Sequence, residues 1–268
     1  MAFRPVNFAH LSRFNSSVSS ELLNLYEDGI EEFLRDKAQE LPHRTFAPSS
    51  ARCQRRSWFR IRGAEPDVPK SVDSALEFTA ELGTACHRVI QRNLAAILKE
   101  RWIDVTSWIQ NKKAAGGFPD GYDICAETDP YSGETLIEMT KPFPVRFACD
   151  GLVRMNGVVY LLEIKTSEFS SWNELTEEKP QHVAQVEHYC ALLGLQHVLY
   201  LYQDRQYGGL KCYEHSVSPQ RIDEVLASMR YVMDCVDHMV PPPALPAGDS
   251  WCAPSMCPYF KKCKEWGR

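Results

Sequence analysis

Three ionisable residues, Asp150, Glu163 and Lys165, interrupt a stretch that is otherwise rich in apolar residues. Between them lies Asn156-Gly157, the strongest two-residue signal for a β-hairpin, because both central positions of a type I′ turn need a positive φ. Counting outward from that turn places Asp150 directly opposite Glu163. Lys165 is two residues further along the same strand and therefore shares their face of the hairpin.

Two carboxylates that face each other at this distance repel by about 4 kcal/mol at an effective dielectric near 20. One of them must therefore be protonated, or a cation must lie between them. A site that binds a divalent metal ion and activates water needs such a group of side chains. The alternative is an edge hairpin with a charged solvent face, which explains the charges but not the register that aligns them.

A second candidate metal site is formed by cysteines. Cys252, Cys257 and Cys263 fall within twelve residues after a proline-rich segment, and Cys53 is the natural fourth ligand. Such a short terminus cannot bury a core of its own, so a bound metal would order it. Zinc ribbons usually pair their cysteines in two short knuckles, and one lone cysteine with a terminal triplet favours an iron–sulfur cluster instead. Structural Zn²⁺ and free thiols are the alternatives.

The segment from Arg52 to Arg62 is the clearest basic patch of the chain. It holds five arginines in eleven residues, interleaved with Trp58 and Phe59. Arginine combined with aromatic residues suits contacts to a single nucleic-acid strand, whereas the alternative is an ordinary solvated helix face. The candidates for strand contacts are Arg55, Arg56 and Arg60.

Hydrophobic periodicity and turn residues predict an α/β fold with a mixed central sheet and helices on both faces. Predicted helices occupy a stretch within residues 16–40, then Ser74–Trp102, Pro180–Leu193 and Pro219–Met239. Predicted strands occupy residues 136–147, the hairpin, and residues 197–203 and 210–217. Residues 112–135 are rich in Gly, Pro and Asp and are predicted to be a loop or an insertion.

The composition is that of an ordinary globular protein. Of the 268 residues, 44% are hydrophobic, and the net charge of −5 gives no overall basic field. The chain shows neither a signal peptide at its first residues nor an apolar run long enough to span a membrane, so we expect a cytoplasmic protein without membrane contact. Ten cysteines in that setting are better interpreted as metal ligands or buried thiols than as disulfides.

The motifs together resemble a known family. His87 within Gly83–His87, Asp150-Gly151, Glu163-Ile164-Lys165 and Gln185–Tyr189 fall in the order and rough spacing of RecB-like PD-(D/E)XK nucleases. Cys53–Arg56 with the terminal cysteine triplet resembles the iron–sulfur subset of that family, which includes CRISPR-associated RecB-like exonucleases, the AddB nuclease domain and exonuclease V. The gap between Cys252 and Cys257 is wider than the family's usual one.

The resemblance covers about residues 50–263. It implies a restriction-endonuclease-like nuclease domain over residues 51–268, with cluster-binding segments around residue 53 and at residues 252–263. The first fifty residues would be a helical N-terminal extension.

The resemblance also implies roles for individual residues. His87, Asp150, Glu163 and the backbone carbonyl of Ile164 would bind Mg²⁺ or Mn²⁺. Lys165 would orient or deprotonate the attacking water.

Gln185 and Tyr189 would support the lysine, the water or the DNA strand. The four cysteines would hold a [4Fe-4S] cluster, with structural Zn²⁺ as the alternative.

Three functions compete at this point. The first is an exonuclease that hydrolyses single-stranded or free DNA ends in repair, recombination or phage replication, with a helicase or recombinase as a possible partner. The second is a CRISPR adaptation nuclease that trims pre-spacers together with an integrase. The third is a non-catalytic DNA-binding scaffold, against which the intact Asp150, Glu163 and Lys165 argue.

Overall fold

The fold is described from a computed structural model, which places residues 17–38, 43–67, 74–129, 134–246, 248–254 and 256–267. The helices are α1 (Ser17–Ala38), α2 (Gln54–Ile61), α3 (Ser74–Leu98), α4 (Val105–Ala114), α5 (Phe169–Asn173), α6 (Pro180–Leu193), α7 (Pro219–Asp237) and α8 (Phe260–Glu265). The strands are β1 (Trp102–Ile103), β2 (Asp123–Thr128), β3 (Thr135–Lys141), β4 (Val145–Cys149), β5 (Gly151–Met155), β6 (Val158–Ser167), β7 (His197–Asp204) and β8 (Leu210–Ser216).

The strands form two sheets. A five-stranded sheet has the order β1-β5-β6-β7-β8, and a three-stranded sheet has the order β2-β3-β4. In the larger sheet β6 and β7 pair in parallel and the other neighbours pair antiparallel. The central sheet is therefore mixed, as the sequence predicts.

Both faces of the central sheet are covered by helices. On one face Leu161 and Val198 join the main core with Val186 and Leu193 of α6. On the other face Leu162 and Ile164 pack with apolar residues of α3 such as Ile90. Strand β6 is consequently buried on both sides over residues 161–164, as is typical of a strand inside an α/β fold.

The β5–β6 hairpin has the predicted turn and register. Asn156 and Gly157 have φ values of 52° and 83°, as a type I′ turn requires. The ladder runs from the Met155–Val158 pair to the Gly151–Leu162 pair. Asp150 and Glu163 are the next residues outward, so they face each other as predicted.

Asp150 is the single residue between β4 and β5, where the chain passes from the smaller sheet to the larger one. Its position is therefore determined by two ladders, one on each side. Helix α6 returns the chain from β6 to β7 and lies over the same end of β6. Pro180 in its first turn and Gly194 in the left-handed conformation at its end fix its limits.

The structure differs from the sequence prediction over residues 112–147. The predicted strand over residues 136–147 is two strands, β3 and β4. The predicted loop at residues 112–135 contains the end of α4 and all of β2. Strand β2 is an edge strand in which Ile124 alone is buried, so its sequence carries almost no hydrophobic signal.

The third predicted helix matches α6, whereas the helix that begins at Ser74 ends earlier than predicted. A short 3₁₀ turn and β1 follow it, and Lys99 there has a φ of 50°. A left-handed residue of this kind interrupts an α-helix. Within the described residues, no helix combines the length and apolar character that a membrane span requires.

The segment just before residue 51 belongs to the domain rather than to an extension. Phe46 is buried in the main core, and its backbone pairs with the residues that flank Val145. The 3₁₀ turn Pro48–Ser50 packs on α6. The N-terminal boundary of the domain in this structure therefore lies before Phe46, because the core needs these residues.

Candidate active site

Asp150 is fixed in place by contacts from two directions. Its Oδ2 accepts a hydrogen bond of 2.7 Å from the backbone N–H of Ile164, and its backbone carbonyl accepts one of 2.8 Å from the amide of Gln91 on α3. Its Oδ1 lies 3.0 Å from Nδ1 of His87, one helical turn before Gln91. Helix α3 thus brings the predicted His87 against the predicted Asp150.

Glu163 and Lys165 form a close ion pair on the same end of β6. Lys165 Nζ lies 2.6 Å from Glu163 Oε1, and the Glu163 residue is 2% exposed. Lys165 also donates a hydrogen bond of 3.2 Å to Gln185 Oε1. The Gln185 amide in turn donates one of 2.6 Å to the hydroxyl of Tyr189. The four residues form one connected chain of hydrogen bonds.

Tyr189 forms the wall behind this chain. It is 3% exposed, and its ring stacks on Phe147 with 4.4 Å between the ring centroids. Burial raises its pKa well above the usual value, and the neighbouring Glu163 adds to the effect. Tyr189 therefore stays protonated and acts as a fixed polar group.

These side chains line one open cleft of about 260 Å³. Its walls include every predicted catalytic side chain and two charged residues that the sequence interpretation missed. The predicted members are His87, Asp150, Glu163, Lys165, Gln185 and Tyr189, and the additional ones are Glu134 and Arg146. Ile164, whose backbone carbonyl is the predicted ligand, is fully buried and is not among the residues that line the cleft.

Glu134 joins the donor group because of strand register. Thr135 pairs with Cys149 in the β3–β4 ladder, so Glu134 lies opposite Asp150. One carboxylate oxygen of Glu134, one donor atom of His87 and one oxygen of Asp150 all lie within 4.8 Å of one another. No motif in the sequence marks Glu134, and only the pairing of β3 with β4 could have identified it.

Charges in the cleft shift the pKa values of its members. Burial raises the pKa of Glu163, against the opposing effect of Lys165, and Asp150 raises it further. Burial alone would lower the pKa of His87, but the hydrogen bond and the charge of Asp150 outweigh it, so the net shift is upward. A bound cation would oppose both upward shifts, because it favours the ionised form of a carboxylate and the neutral form of an imidazole.

The donor atoms suit a divalent ion with oxygen preference. Two carboxylates and one imidazole surround a common point, and Mg²⁺ or Mn²⁺ binds such ligands with bonds of 2.0–2.1 Å in octahedral geometry. Neighbouring ligands of that octahedron are about 3 Å apart, which matches the 3.0 Å between His87 Nδ1 and Asp150 Oδ1. The Glu163 carboxylate is engaged by Lys165 and lies outside this group of three.

The four predicted cluster cysteines also come together. Cys53, Cys252, Cys257 and Cys263 all line one small cavity between α2 and the C-terminal segment. Burial raises the pKa of the Cys53 thiol, a backbone hydrogen bond involving Arg56 lowers it, and the other three cysteines raise it again. Positive charge at this point would stabilise the thiolates.

The sulfur atoms of this quartet are not gathered at the distances of zinc ligands. A tetrahedral zinc site with 2.3 Å bonds holds its sulfurs about 3.8 Å apart. Among the described residues no three cysteine sulfurs lie within 4.8 Å of one another. The spacing is therefore wider than a mononuclear zinc site requires.

Protein contacts already join α2 and the residues that follow it to the C-terminal segment around these cysteines. Phe59 stacks on Tyr259 with 5.2 Å between the ring centroids. Asp67 accepts hydrogen bonds from the backbone N–H groups of Lys261 and Lys262 at the start of α8. The fold thus holds the cysteine-bearing segments in place through its own side chains.

The three arginines predicted to contact DNA have different surroundings. Arg55 is 7% exposed, and its guanidinium donates to the carbonyls of Pro242 at 2.6 Å and Gly267 at 2.9 Å. Because the Arg55 guanidinium is buried against these carbonyls, it is not available for the predicted contact with a DNA strand. Arg56 lines the cysteine cavity. Burial lowers the pKa of Arg60, whose Nε is buried without a hydrogen-bond partner among the described residues.

Comparison of the chain with models of known protein families gave no match, and a search of curated proteins gave none either. Among solved structures, a similar one is the crystal structure of SSO0001, with 16% identity over 87% of this chain and 95% of that chain and a TM-score of 0.46. An alkaline exonuclease from Laribacter hongkongensis has 16% identity over 51% of this chain and 71% of its own, with a TM-score of 0.35.

The same exonuclease in complex with dAMP has 14% identity, covers 69% of this chain and 87% of its own, and has a TM-score of 0.34. All three scores lie below 0.5, so the likeness is too limited to carry a functional argument. We base the functional assignment on the geometry of the cleft.

Proposed function

We propose that this protein is a metal-dependent deoxyribonuclease that hydrolyses phosphodiester bonds at single-stranded or free DNA ends. The observation that carries the proposal is the composition of one open cleft. The His87–Asp150–Glu134 donor group and the Glu163–Lys165 ion pair line the same space of about 260 Å³. A bound divalent ion can activate water for attack on a phosphodiester, and the half-buried Lys165 lies beside the donor group.

In this proposal His87 and Asp150 hold the Mg²⁺ or Mn²⁺ ion. The family resemblance also implies Glu163 and the Ile164 carbonyl as ligands, but here Glu163 is paired with Lys165 and Ile164 is fully buried. When bound, such an ion binds the phosphate, offsets its negative charge and makes water a stronger nucleophile. The hydrogen bond from Ile164 to Asp150 keeps one carboxylate oxygen fixed and leaves the other directed at His87.

Lys165 orients the attacking water and offsets the charge that builds up on the phosphate during attack. Its ammonium is held by Glu163 on one side and by Gln185 on the other, so its direction is fixed. Tyr189 holds Gln185 through a hydrogen bond of 2.6 Å. The Gln185–Tyr189 pair is therefore a positioning device for the lysine, because neither residue can supply or remove charge in its place.

Arg146 is the proposed contact for the DNA backbone next to the metal site. It lines the cleft, its side chain is 31% exposed, and its Nε lies 3.2 Å from Glu138. A guanidinium can donate two parallel hydrogen bonds to the oxygens of one phosphate. Burial lowers the pKa of Arg60, and the charges of Arg56 and Arg146 lower it further, so these three cations lie near one another. Arg56 also lines the cysteine cavity.

The cysteine quartet is proposed to hold a [4Fe-4S] cluster that secures the C-terminal segment against α2. One lone upstream cysteine with a terminal triplet favours a cluster over structural Zn²⁺, whose sites usually pair their cysteines in two short knuckles. The Arg55 guanidinium, with Nη1 3.7 Å from Cys263 Sγ, supplies positive charge that favours the thiolate form.

The proposal is tested with protein purified without oxygen, stripped of divalent ions and incubated with end-labelled single-stranded DNA. We expect product with Mn²⁺ or Mg²⁺ and none with EDTA. Asp150→Asn should lose the activity, and the exposed Asp120→Asn should keep it, with folding of both checked by circular dichroism. Cleavage in EDTA, or full activity of Asp150→Asn, would overturn the proposal, and DNA binding without any cleavage would favour the scaffold.

A further inference from the structure

Asp150 is faced by a carboxylate on each side. Glu163 follows Leu162, the last β6 partner in the β5–β6 ladder, and Glu134 precedes Thr135, the first β3 partner in the β3–β4 ladder, so the register of each ladder places them opposite Asp150. The two ladders belong to different sheets, and Asp150 is the residue at which they meet. The chain therefore places three carboxylates in a row, with Asp150 in the middle.

The two outer carboxylates have different surroundings. Glu163 is buried and paired with Lys165 at 2.6 Å. Glu134 is half-buried on the cleft wall, and its carboxylate lies with the donor atoms of His87 and Asp150 in the group that fits within 4.8 Å. Among the residues that the structure describes, the group contains no donor atom of Glu163.

The backbone at Glu134 is tied to β2 and β4 by hydrogen bonds and strand pairing. Its carbonyl accepts a hydrogen bond of 2.9 Å from the N–H of Asp129, and the next residue, Thr135, pairs with both Thr128 and Cys149. The Thr135 hydroxyl also lies 3.2 Å from the hydroxyl of Thr128. Glu134 directly precedes β3, which is hydrogen-bonded to β2 on one side and to β4 on the other.

The geometry points to Glu134 as a protein ligand of the divalent ion, on the side of Asp150 that faces away from Glu163. This inference rests on the proposed metal-dependent nuclease function and adds a residue that no motif marks. Coordination by His87, Asp150 and Glu134 leaves Glu163 free to hold Lys165. Loss of Glu134 should then lower the affinity for the metal ion. The rate of cleavage should fall only because fewer protein molecules hold the ion.

The test measures Mn²⁺ binding to the full-length protein in the absence of DNA, by calorimetry or by the electron paramagnetic resonance signal of free Mn²⁺. We expect Glu134→Gln, which keeps the shape of the side chain, to weaken binding by about tenfold or more. Glu127→Gln is the matched control, because Glu127 is exposed on the neighbouring strand β2. It should bind Mn²⁺ as the unaltered protein does.

Two further variants separate this inference from the function on which it rests. Asp150→Asn should lose Mn²⁺ binding, and Glu134→Asp should show intermediate affinity because its carboxylate is retained on a shorter side chain. Raising the Mn²⁺ concentration should restore cleavage by Glu134→Gln, since its catalytic lysine is intact.

Unchanged Mn²⁺ affinity in a folded Glu134→Gln protein, together with a loss in Asp150→Asn, would overturn the role of Glu134 and leave the nuclease proposal standing. An unaltered protein that binds no Mn²⁺ would overturn both. If Glu134→Gln fails to fold, the Glu134→Asp affinity decides, and a value equal to that of the unaltered protein counts against the inference.

Discussion

Asp150 Oδ2 accepts a hydrogen bond of 2.7 Å from the backbone N–H of Ile164, the residue between Glu163 and Lys165. This bond joins the start of β5 to the middle of β6 beyond the last ladder pair. It fixes the distance between the carboxylate proposed to bind the ion and the lysine proposed to act on water. Asp150 and Lys165 are therefore held in a fixed relationship by the β5–β6 hairpin.

Replacing Arg146 with glutamine should weaken DNA binding more than it slows the chemical step. Arg146 lines the cleft without belonging to the metal donor group, so KM should rise while kcat changes little. Loss of one phosphate contact to a single strand lowers the slope of log affinity against log salt by about 0.7. A salt titration of binding measures this slope.

Arg154→Gln is the matched control for Arg146, because Arg154 is exposed on β5 and does not line the cleft. It should leave the salt slope unchanged. An unaltered slope in Arg146→Gln would contradict the proposed phosphate contact.

Replacing Tyr189 with phenylalanine should lower the rate through Gln185. The change removes the hydroxyl that accepts the Gln185 amide hydrogen bond but keeps the stacking on Phe147. The loss of one such bond costs about 1 kcal/mol of stability. We expect a smaller loss of kcat than in Lys165→Ala, and unchanged Mn²⁺ affinity.

Tyr213→Phe makes the same chemical change elsewhere, since the Tyr213 hydroxyl donates a hydrogen bond of 2.9 Å to the Leu175 carbonyl. It should lower stability similarly and leave kcat unchanged. If both variants affect kcat equally, the positioning role of Tyr189 is wrong.

Replacing Cys53 with alanine should remove the visible absorption and bound iron of anaerobically purified protein and lower its Tm. Cys235→Ala is the matched control, since Cys235 and Cys53 are 7% and 8% exposed and only Cys53 belongs to the quartet. Iron content that is equal in both variants, or zinc in place of iron in the unaltered protein, would contradict the proposed cluster.

The stability of the protein should decrease in mild acid because of His182. Burial, together with the charges of Lys165 and Lys179, lowers the pKa of His182 to about 3, and its Nδ1 lies 2.8 Å from the Tyr202 hydroxyl. The unfolded chain takes up a proton near pH 6.5, so this contribution is complete above that pH and decreases as the pH falls toward 3.

Between pH 8 and pH 5 the lost stability from this residue is about 2 kcal/mol. Urea unfolding at both pH values should show a smaller difference for His182→Gln than for the unaltered protein. An identical pH dependence of the two proteins would contradict this origin of the acid sensitivity.

The parts of the site that depend on local sequence could be predicted, and the parts that depend on distant pairing could not. The Asn156-Gly157 turn fixes the register that places Asp150 opposite Glu163, so the hairpin was readable from sixteen consecutive residues. Glu134 reaches the same point through the β3–β4 ladder, which has no comparable turn signal.

The burial of Arg55 could not be predicted from the sequence either. Its position in a basic segment is typical of a nucleic-acid surface. The carbonyls that bind it belong to Pro242 and Gly267, far along the chain. A guanidinium that satisfies distant backbone groups looks the same in the sequence as one that is exposed to solvent.

Hydrolysis of DNA in the cleft is proposed to depend on Lys165 of the β5–β6 hairpin. The most direct test compares unaltered protein with Lys165→Ala on end-labelled single-stranded DNA, with Mn²⁺ affinity measured on the same samples. Lys113→Ala is the control, because Lys113 is half-exposed and lies outside the cleft. We predict that Lys165→Ala binds Mn²⁺ and DNA but releases no product, whereas full cleavage by Lys165→Ala would contradict the account.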